Sequence, residues 1–127
     1  MDFAALRVGH IVYAQIPDPA GAPLNEPHPA MVLRAPDADG TLWLLGISTK
    51  YSVPVGRLMI ELPWSPGGHP ATGLSRPCVL KCWWAVRWNT NHVIRRLGAL
   101  PPDIVEQAIE YAITAIQERK AQSKGNG

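Results

Sequence analysis

Residues 8–16 read Val-Gly-His-Ile-Val-Tyr-Ala-Gln-Ile, and two sets of side chains alternate along this stretch. Val12, Ala14 and Ile16 share one face with positions 8 and 10, whereas Ile11 and Tyr13 lie on the other. A period of two predicts a β-strand. The sequence continues as Pro-Asp-Pro-Ala-Gly over residues 17–21, and because proline cannot donate to a sheet ladder, the strand must end there.

Four further apolar runs predict strands at residues 30–34, 42–47, 58–62 and 78–88. Thirteen prolines and eleven glycines fall in clusters between the apolar runs, a pattern typical of a compact all-β domain. Two proline-rich connections, residues 17–28 and 63–76, are too long for tight hairpins. Loops of this length in compact domains are often functional.

Helix is predicted only at the end of the chain. Pro102 suits a first helical turn, Asp103 and Glu106 complement the helix dipole there, and Arg119 and Lys120 fall in the last turn. The apolar stripe of this helix consists of Ile104, Val105, Ala108, Ile109, Ala112, Ile113 and Ile116. We therefore predict a mainly β fold, a small β-barrel with one C-terminal α-helix. It forms a single domain at residues 1–120, and a disordered polar tail follows at 121–127.

Net charge, hydropathy and cysteine spacing indicate where the protein is found but do not identify its binding partner. The 127 residues carry a formal net charge of +2, which is compatible with nucleic-acid binding but too small to indicate it. No apolar run approaches the roughly 20 residues that span a bilayer, and the first residues lack the features of a signal peptide. We therefore expect a cytoplasmic protein that does not enter a membrane. Cys78 and Cys82 lie about 13 Å apart along one predicted strand, too far for a disulfide, so we expect two free thiols.

Three regions, taken in order, resemble one known family. They read Val8-Gly-His-Ile-Val-Tyr-Ala-Gln-Ile-Pro-Asp-Pro-Ala-Gly21, then His28-Pro-Ala-Met-Val-Leu33 with Leu44-Leu-Gly-Ile-Ser-Thr49, then Thr72-Gly-Leu-Ser-Arg-Pro-Cys-Val-Leu-Lys-Cys82 with Ile94-Arg-Arg-Leu-Gly-Ala-Leu-Pro-Pro102. The family has Gly-x-Ile/Val-Val, Arg-Pro-Ala-Val-Val-Leu, an apolar run ending Ile-Thr-Ser, Gly-Leu-x-x-Pro-x-Val and Ile-x-x-x-Gly-x-Leu at the matching places. This order and spacing resemble the MazF/PemK toxins of bacterial type II toxin–antitoxin pairs.

The resemblance implies a fold, an activity and two partners. The fold is an SH3-like β-barrel, usually a homodimer. The activity is cleavage of single-stranded RNA without metal or cofactor, in which the substrate's 2′-OH attacks the neighbouring phosphate. The partner protein is a cognate antitoxin that covers the groove. Trp83, Trp84 and Trp88 lie in one predicted strand. Their aromatic surface is larger than one side of a single core can bury, which also favours a homodimer.

The family pattern assigns catalytic positions in this chain, with two departures. His28 stands where the family has arginine, Ser48 or Thr49 matches its threonine, and Lys81-Cys-Trp83 matches a basic-Cys-acid run found in some members. Histidine in place of arginine could act in proton transfer to the 5′-oxygen or stabilise the phosphorane as imidazolium. Tryptophan in place of the acid removes a potential base. His10, His69 and His92 are too scattered to suggest a metal site, so no metal is expected.

A second set of residues is predicted to bind substrate. Strand alternation places Lys81 on one face with Trp83 and Arg87, and cations beside an aromatic ring suit single-stranded RNA. Trp84 and Trp88 are assigned to the cysteine face, as core or dimer interface. The alternative interpretation is structural throughout: a loop histidine between prolines, turn-forming hydroxyls and a solvated strand face.

Two rival functions remain at this stage. A gyrase-poisoning toxin of the CcdB type shares the fold, but it acts through the end of its C-terminal helix. The sequence of that end here, Gln-Glu-Arg-Lys-Ala-Gln-Ser-Lys at 117–124, is too polar for a binding hot spot. The other rival is a non-cleaving family member that still binds RNA or an antitoxin, which the histidine at 28 and the tryptophan at 83 favour.

Overall fold

The fold is one antiparallel sheet and a long C-terminal helix, seen here in a computed structural model that describes residues 3–125. The strands are β1 (His10–Ala14), β2 (His28–Arg34), β3 (Thr41–Ser48), β4 (Met59–Glu61), β5 (Val79–Asn89) and β6 (Val93–Ala99), and the helix is α1 (Pro102–Gly125). Short 3-10 turns lie at Phe3–Ala5 and Thr90–His92. The spatial order of the strands is β4-β5-β3-β2-β1-β6.

The predicted fold class is confirmed, with two differences in detail. All five predicted strands are present, although their ends shift, and the single helix follows them. The sheet is open rather than closed, because β4 and β6 form its two edges among the described residues. β6 was not predicted as a strand; it pairs with β1, and Tyr13 lies opposite Arg95.

Apolar side chains fill both faces of the strongly curved sheet. The helix-side core contains Ile11, Met31, Leu45, Ile47, Leu80 and Cys82 together with Ala108 and Ala112 of α1. The second core contains Val12, Ala14, Ile16, Ala30, Val32, Leu42, Leu44, Trp84 and Val86. The two faces predicted for β1 are therefore confirmed, since Ile11 faces the helix and Val12 and Ala14 face away from it.

Strand β5 does not keep a constant alternation. Leu45 pairs with Ala85, but Ile47 already pairs with Leu80, so four β5 residues lie opposite one residue of β3. Cys82 and Ala85, three apart, consequently both pack at the helix-side core. The prediction that Trp84 shares the cysteine face is wrong for this reason, because a bulge changes which side chains face which core.

Helix α1 packs against β5 and β4 through small residues that allow close approach. Ala108 and Ala112 are buried, and an ion pair between Arg57 and Glu118 ties the β3–β4 connection to the last turns. The helix runs to Gly125, so the expected tail at 121–127 is helical over its described part, where alanine, glutamine and lysine favour helix; residues 126 and 127 lie outside the described range. Within that range no helix is long and apolar enough to cross a membrane.

Both cysteines are free and buried, as the strand spacing predicted. Burial raises the pKa of the Cys78 thiol to about 11 and that of Cys82 to about 12. Both groups are therefore protonated thiols at neutral pH, and neither is a nucleophile in that form.

Candidate functional site

The proline-rich loop between β1 and β2 is held in one conformation by polar contacts. The Asp18 carboxylate accepts hydrogen bonds from the Ala20 and Ala22 amides, both at 2.9 Å. Gln15 Nε2 donates to the Leu24 carbonyl at 2.7 Å, which links the two ends of the loop. This local bonding replaces the ladder bonds that proline cannot make. The loop therefore delivers residues 26–28 to a defined place at the end of the sheet.

Two tryptophans of β5 donate hydrogen bonds to the first residues of this loop. Trp84 Nε1 donates to the Pro17 carbonyl at 3.1 Å, and Trp88 Nε1 donates to the Gln15 carbonyl at 2.6 Å. The Trp84 ring lies on the backbone at Gly46, where a Cβ would overlap its atoms. The same ring meets His28 edge-on, with 6.0 Å between ring centroids and 70° between planes. The orientation of His28 thus depends on a core residue that only a glycine at position 46 admits.

The second long loop, between β4 and β5, forms the opposite wall. Thr72 is fully buried; its hydroxyl donates to the Pro63 carbonyl at 2.8 Å and accepts from the Leu74 amide at 3.2 Å. The Ala99 amide of β6 donates to the Ala71 carbonyl at 2.9 Å. Gly73 has a φ of +74° and lies against the Leu97 carbonyl, so a side chain at this position would collide with β6.

A groove of about 420 Å³ lies between these two loops. Its floor is apolar and belongs to the helix-side core, with Ile47, Leu74, Cys78 and Leu97. Polar groups of several types line its walls: Tyr13, Glu26, His28, Thr49, Ser75, Arg76 and Arg95. Among the described residues no three His, Cys, Asp or Glu side chains cluster closely enough to hold a metal ion.

The electrostatics of the groove favour a neutral imidazole between cations. Partial burial lowers the pKa of His28, and Lys50 lowers it further, whereas Glu26 opposes the shift. The guanidinium of Arg95 lies 5.6 Å from the centre of the Tyr13 ring, which holds it over the groove. At neutral pH His28 is therefore uncharged and able to accept a proton, while the arginines supply positive charge.

The predicted catalytic residues divide into two groups. His28 and Thr49 line the same groove. Ser48 Oγ accepts a hydrogen bond from the Lys50 amide at 3.0 Å, so it shapes the turn after β3, and it is not among the groove lining residues. Lys81 pairs with Met59 of β4 and does not line the groove.

The predicted substrate-binding strip is only partly assembled. Lys81 Nζ lies 5.4 Å from the centre of the Trp83 ring, so these two residues are neighbours as expected. Trp83 packs against the second core, whereas Arg87 is two residues from Ala85, which packs at the helix-side core. The expectation that Arg87 shares their face is therefore wrong, again because of the β5 bulge. None of the three lines the groove.

Five polar residues of the groove walls were not proposed from sequence: Tyr13, Glu26, Ser75, Arg76 and Arg95. Arg95 reaches the groove because β6 pairs with β1, and adjacent arginines at 95 and 96 gave no alternating pattern to reveal that strand. Tyr13 was placed on the face opposite to Val12 and Ala14, which is a signal that it belonged with the helix-side residues. Arg76 comes from an irregular loop and has no such signal.

Comparison with known proteins identifies the fold. No family model and no curated protein matches the chain. An endoribonuclease in complex with its cognate antitoxin from Mycobacterial species superposes with a TM-score of 0.63 at 12% identity, over 89% of this chain and 96% of the other. The Mycobacterium tuberculosis toxin MazF-mt6 gives a TM-score of 0.61 at 19% identity, over 85% and 96%.

A third solved structure, an endoribonuclease from Mycobacterial species, gives a TM-score of 0.60 at 13% identity, over 90% of this chain and 92% of the other. All three similarities extend over 85–90% of this chain and 92–96% of the other chain. They also agree with the family that the sequence regions resemble. The chain therefore has the fold of the MazF toxins.

Proposed function

We propose that the protein is the toxin of a type II toxin–antitoxin pair and cleaves single-stranded RNA without a metal ion. The observation that carries the proposal is the groove, in which His28, Thr49, Arg76 and Arg95 converge on a MazF-type fold. Cleavage through the substrate's 2′-OH needs a base for that hydroxyl, positive charge for the phosphorane and donors for its oxygens. The groove contains His28 as a base, two arginines as positive charge and the Thr49 hydroxyl as a donor.

His28 acts as the general base in this mechanism. Its lowered pKa leaves the ring neutral at neutral pH, and a neutral imidazole can take the proton of the 2′-OH. This choice replaces the imidazolium and acid roles considered from sequence, since both of those require a protonated ring. The contact with Trp84 holds the imidazole in place, as a base must be within hydrogen-bond reach of its proton.

Arg76, Arg95 and Thr49 act on the phosphate. Two guanidiniums on the walls neutralise the charge that builds on the phosphorane and on the departing 5′-oxygen, and their N–H groups match phosphate geometry. The bond from phosphorus to the 5′-oxygen breaks as the 2′-oxygen bonds to phosphorus, and the 5′-oxygen takes a proton from water, which leaves a 2′,3′-cyclic phosphate and a 5′-hydroxyl. The Thr49 hydroxyl donates to a phosphate oxygen from the end of β3. The apolar floor raises the strength of these interactions, because it lowers the local dielectric.

The proposal includes an antitoxin partner and a homodimer. One structural neighbour is an endoribonuclease in complex with its cognate antitoxin, which supports a protein partner for this fold. The tryptophans of β5 no longer support a dimer, since Trp83, Trp84 and Trp88 all pack against the second core. Support comes instead from Ile113 and Ile116, which lie three apart on α1 and are 49% and 42% exposed.

The rival functions are less well supported by the geometry. Over residues 117–122, the last part of α1 whose side chains are described, the side chains are mostly charged and polar, and Arg119 and Lys120 are exposed. This part of the helix offers no apolar hot spot for gyrase. A non-cleaving member needs no ordered histidine in the groove, yet His28 is fixed by Trp84. The structure thus favours the endoribonuclease over both alternatives.

The test is cleavage of a long unstructured RNA in the presence of EDTA. The proposal predicts products with 2′,3′-cyclic phosphate and 5′-hydroxyl ends, and no cleavage at a site whose 2′-OH is replaced by hydrogen. His28→Ala should lose activity, whereas the matched control His92→Ala should not, because His92 contacts Trp88 outside the groove. Products with 5′-phosphate ends, or an inactive wild-type protein, would contradict the mechanism.

A further inference from the structure

A row of cationic and aromatic side chains crosses three neighbouring strands outside the groove. Trp43 of β3 is the Cα partner of Arg87 in β5. On its other side Trp43 is the partner of Arg34 in β2, directly after a bulge that sets two β2 residues, Leu33 and Arg34, against one residue of β3. Side chains directly opposite each other in a sheet lie on the same face. These three residues, the Arg34–Trp43–Arg87 row, therefore form an arginine–tryptophan–arginine arrangement that no sequence motif had indicated.

The position of the row relates it to the groove. Trp43 is two residues from Leu45 and Arg87 two from Ala85, and both neighbours pack at the helix-side core. The row thus belongs to the same face of the sheet as the groove floor. Along β3 it lies four residues from Ile47, which is roughly 13 Å. A few nucleotides of single-stranded RNA cover such a distance.

The side chains of the row are not explained by packing within the protein. Trp43 is half-buried and packs against neither apolar core. Arg34 and Arg87 are exposed, and the one ion pair found among residues 3–125 joins Arg57 and Glu118 instead. The Asp37 carboxylate accepts hydrogen bonds from the Asp39 and Thr41 amides of its own loop and forms no ion pair with either arginine.

We infer that the Arg34–Trp43–Arg87 row is a second binding site for single-stranded RNA, which takes the part of the substrate that extends beyond the His28 groove. A base stacks on the Trp43 ring, and the guanidiniums of the two arginines, whose backbones lie roughly 10 Å apart across two strand spacings, hold phosphates on either side. The inference rests on the proposed RNA cleavage for the identity of the ligand.

The chemistry of the row favours RNA over an acidic peptide. A peptide anchors through apolar side chains that enter a pocket, whereas a base needs only the face of an aromatic ring. The residues of the row do not line a cavity at the His28 groove, at the β2–β3 loop or at the base of the proline-rich loop. A half-buried ring between two exposed cations is suited to stacking on its open face, with phosphate contacts on either side.

The test measures binding of a fluorescein-labelled, unstructured 20-nucleotide RNA in which every 2′-OH is methylated, so that no cleavage interferes. Trp43→Ala should weaken binding about 5- to 150-fold, the usual effect of losing one stacking aromatic. Arg34→Gln/Arg87→Gln should lower the slope of log affinity against log salt by roughly 1.4, which corresponds to two phosphate contacts. The control Arg96→Gln/Lys120→Gln removes the same charge elsewhere and should leave the slope unchanged.

The outcomes separate this inference from the proposed function. Cleavage of a short RNA that fills only the groove should be unchanged in the row variants, and circular dichroism should show that they fold. Equal loss of affinity in the row and control variants would overturn the inference, since only net charge would then matter. If the row variants bind RNA as the wild type does but no longer bind a poly-glutamate peptide, the inference is also overturned, and the row is a site for a protein ligand. If the wild-type protein does not cleave RNA, but the row variants still weaken RNA binding, only the proposed function is overturned.

Discussion

Replacing Trp84 by leucine should weaken the fold and the catalytic site together. Trp84 is 5% exposed, and truncating a buried tryptophan to alanine costs about 3–5 kcal/mol. Leucine refills part of the space, but the hydrogen bond to the Pro17 carbonyl, worth about 1 kcal/mol, is lost. We therefore expect the free energy of unfolding to fall by about 2–4 kcal/mol. For an m-value of about 2 kcal/mol/M the urea midpoint would fall by roughly 1–2 M.

Trp88→Leu is the matched control, because Trp88 also donates an indole hydrogen bond to the same loop but does not touch His28. Both variants should be less stable, and Trp84→Leu the more so because Trp88 is only half-buried. In conditions where both are folded, RNA cleavage by Trp84→Leu should be about 10-fold slower or more, since small misplacements of a catalytic group are costly. Equal cleavage rates in the two variants would refute the idea that Trp84 positions His28.

Three further predictions follow from burial and from the exposed surface. Because the folded state lowers the pKa of His28 and of His10, the unfolded chain binds more protons below about pH 6.5. The free energy of unfolding, measured in urea, should therefore be constant above that pH and decrease as the pH falls to about 5. An increase in stability on acidification would contradict the lowered pKa values. Cys78→Ala/Cys82→Ala should cleave RNA like the wild type, since both thiols are protonated; a folded but inactive double variant would reverse this view. Sedimentation at micromolar concentration should show a dimer, and a monomer at all concentrations would contradict it.

The elements that sequence predicted well are those with a regular apolar period. The alternation of residues 8–16 gave both the strand and its two faces, because every second side chain enters a different core. The start of the helix at Pro102 was predicted correctly, because proline suits the first turn and Asp103 and Glu106 complement the helix dipole there. The end of the helix was placed too early, since Gln122 and its neighbours are polar but favourable for helix.

The elements that sequence missed depend on pairing rather than on pattern. Strand β6 is an edge strand with exposed Ile94, Arg95 and Arg96 in succession, so no period of two is visible. Its existence follows from pairing with β1, which local sequence does not encode. Local sequence does not encode the β5 bulge either. Four residues of β5 accommodate the Trp84 ring over Gly46, and beyond them the side chains of the strand alternate onto the opposite faces.

The family positions led to one groove only in part. His28 and Thr49 line it, whereas Ser48 and Lys81, chosen in the same way, do not, and the catalytic roles of all four stay predictions. Arg76 and Arg95 come from a loop and an edge strand, and tertiary structure alone brings them to the same wall. Lys81 was chosen by its place in a three-residue run, but its pairing with Met59 puts it at the β4 edge of the sheet.

The pH dependence of RNA cleavage by the wild type and by His28→Ala tests the central claim most directly. With EDTA present, kcat/KM of the wild type should rise with pH and level off above a pKa lower than 6.5, because only the neutral imidazole accepts the 2′-OH proton. His28→Ala should lose about 10²–10⁴-fold in rate and show no such limb. His28→Arg should be equally inactive, since arginine cannot take up a proton. A His28→Ala variant that cleaves like the wild type, with the same pH profile, would contradict the account.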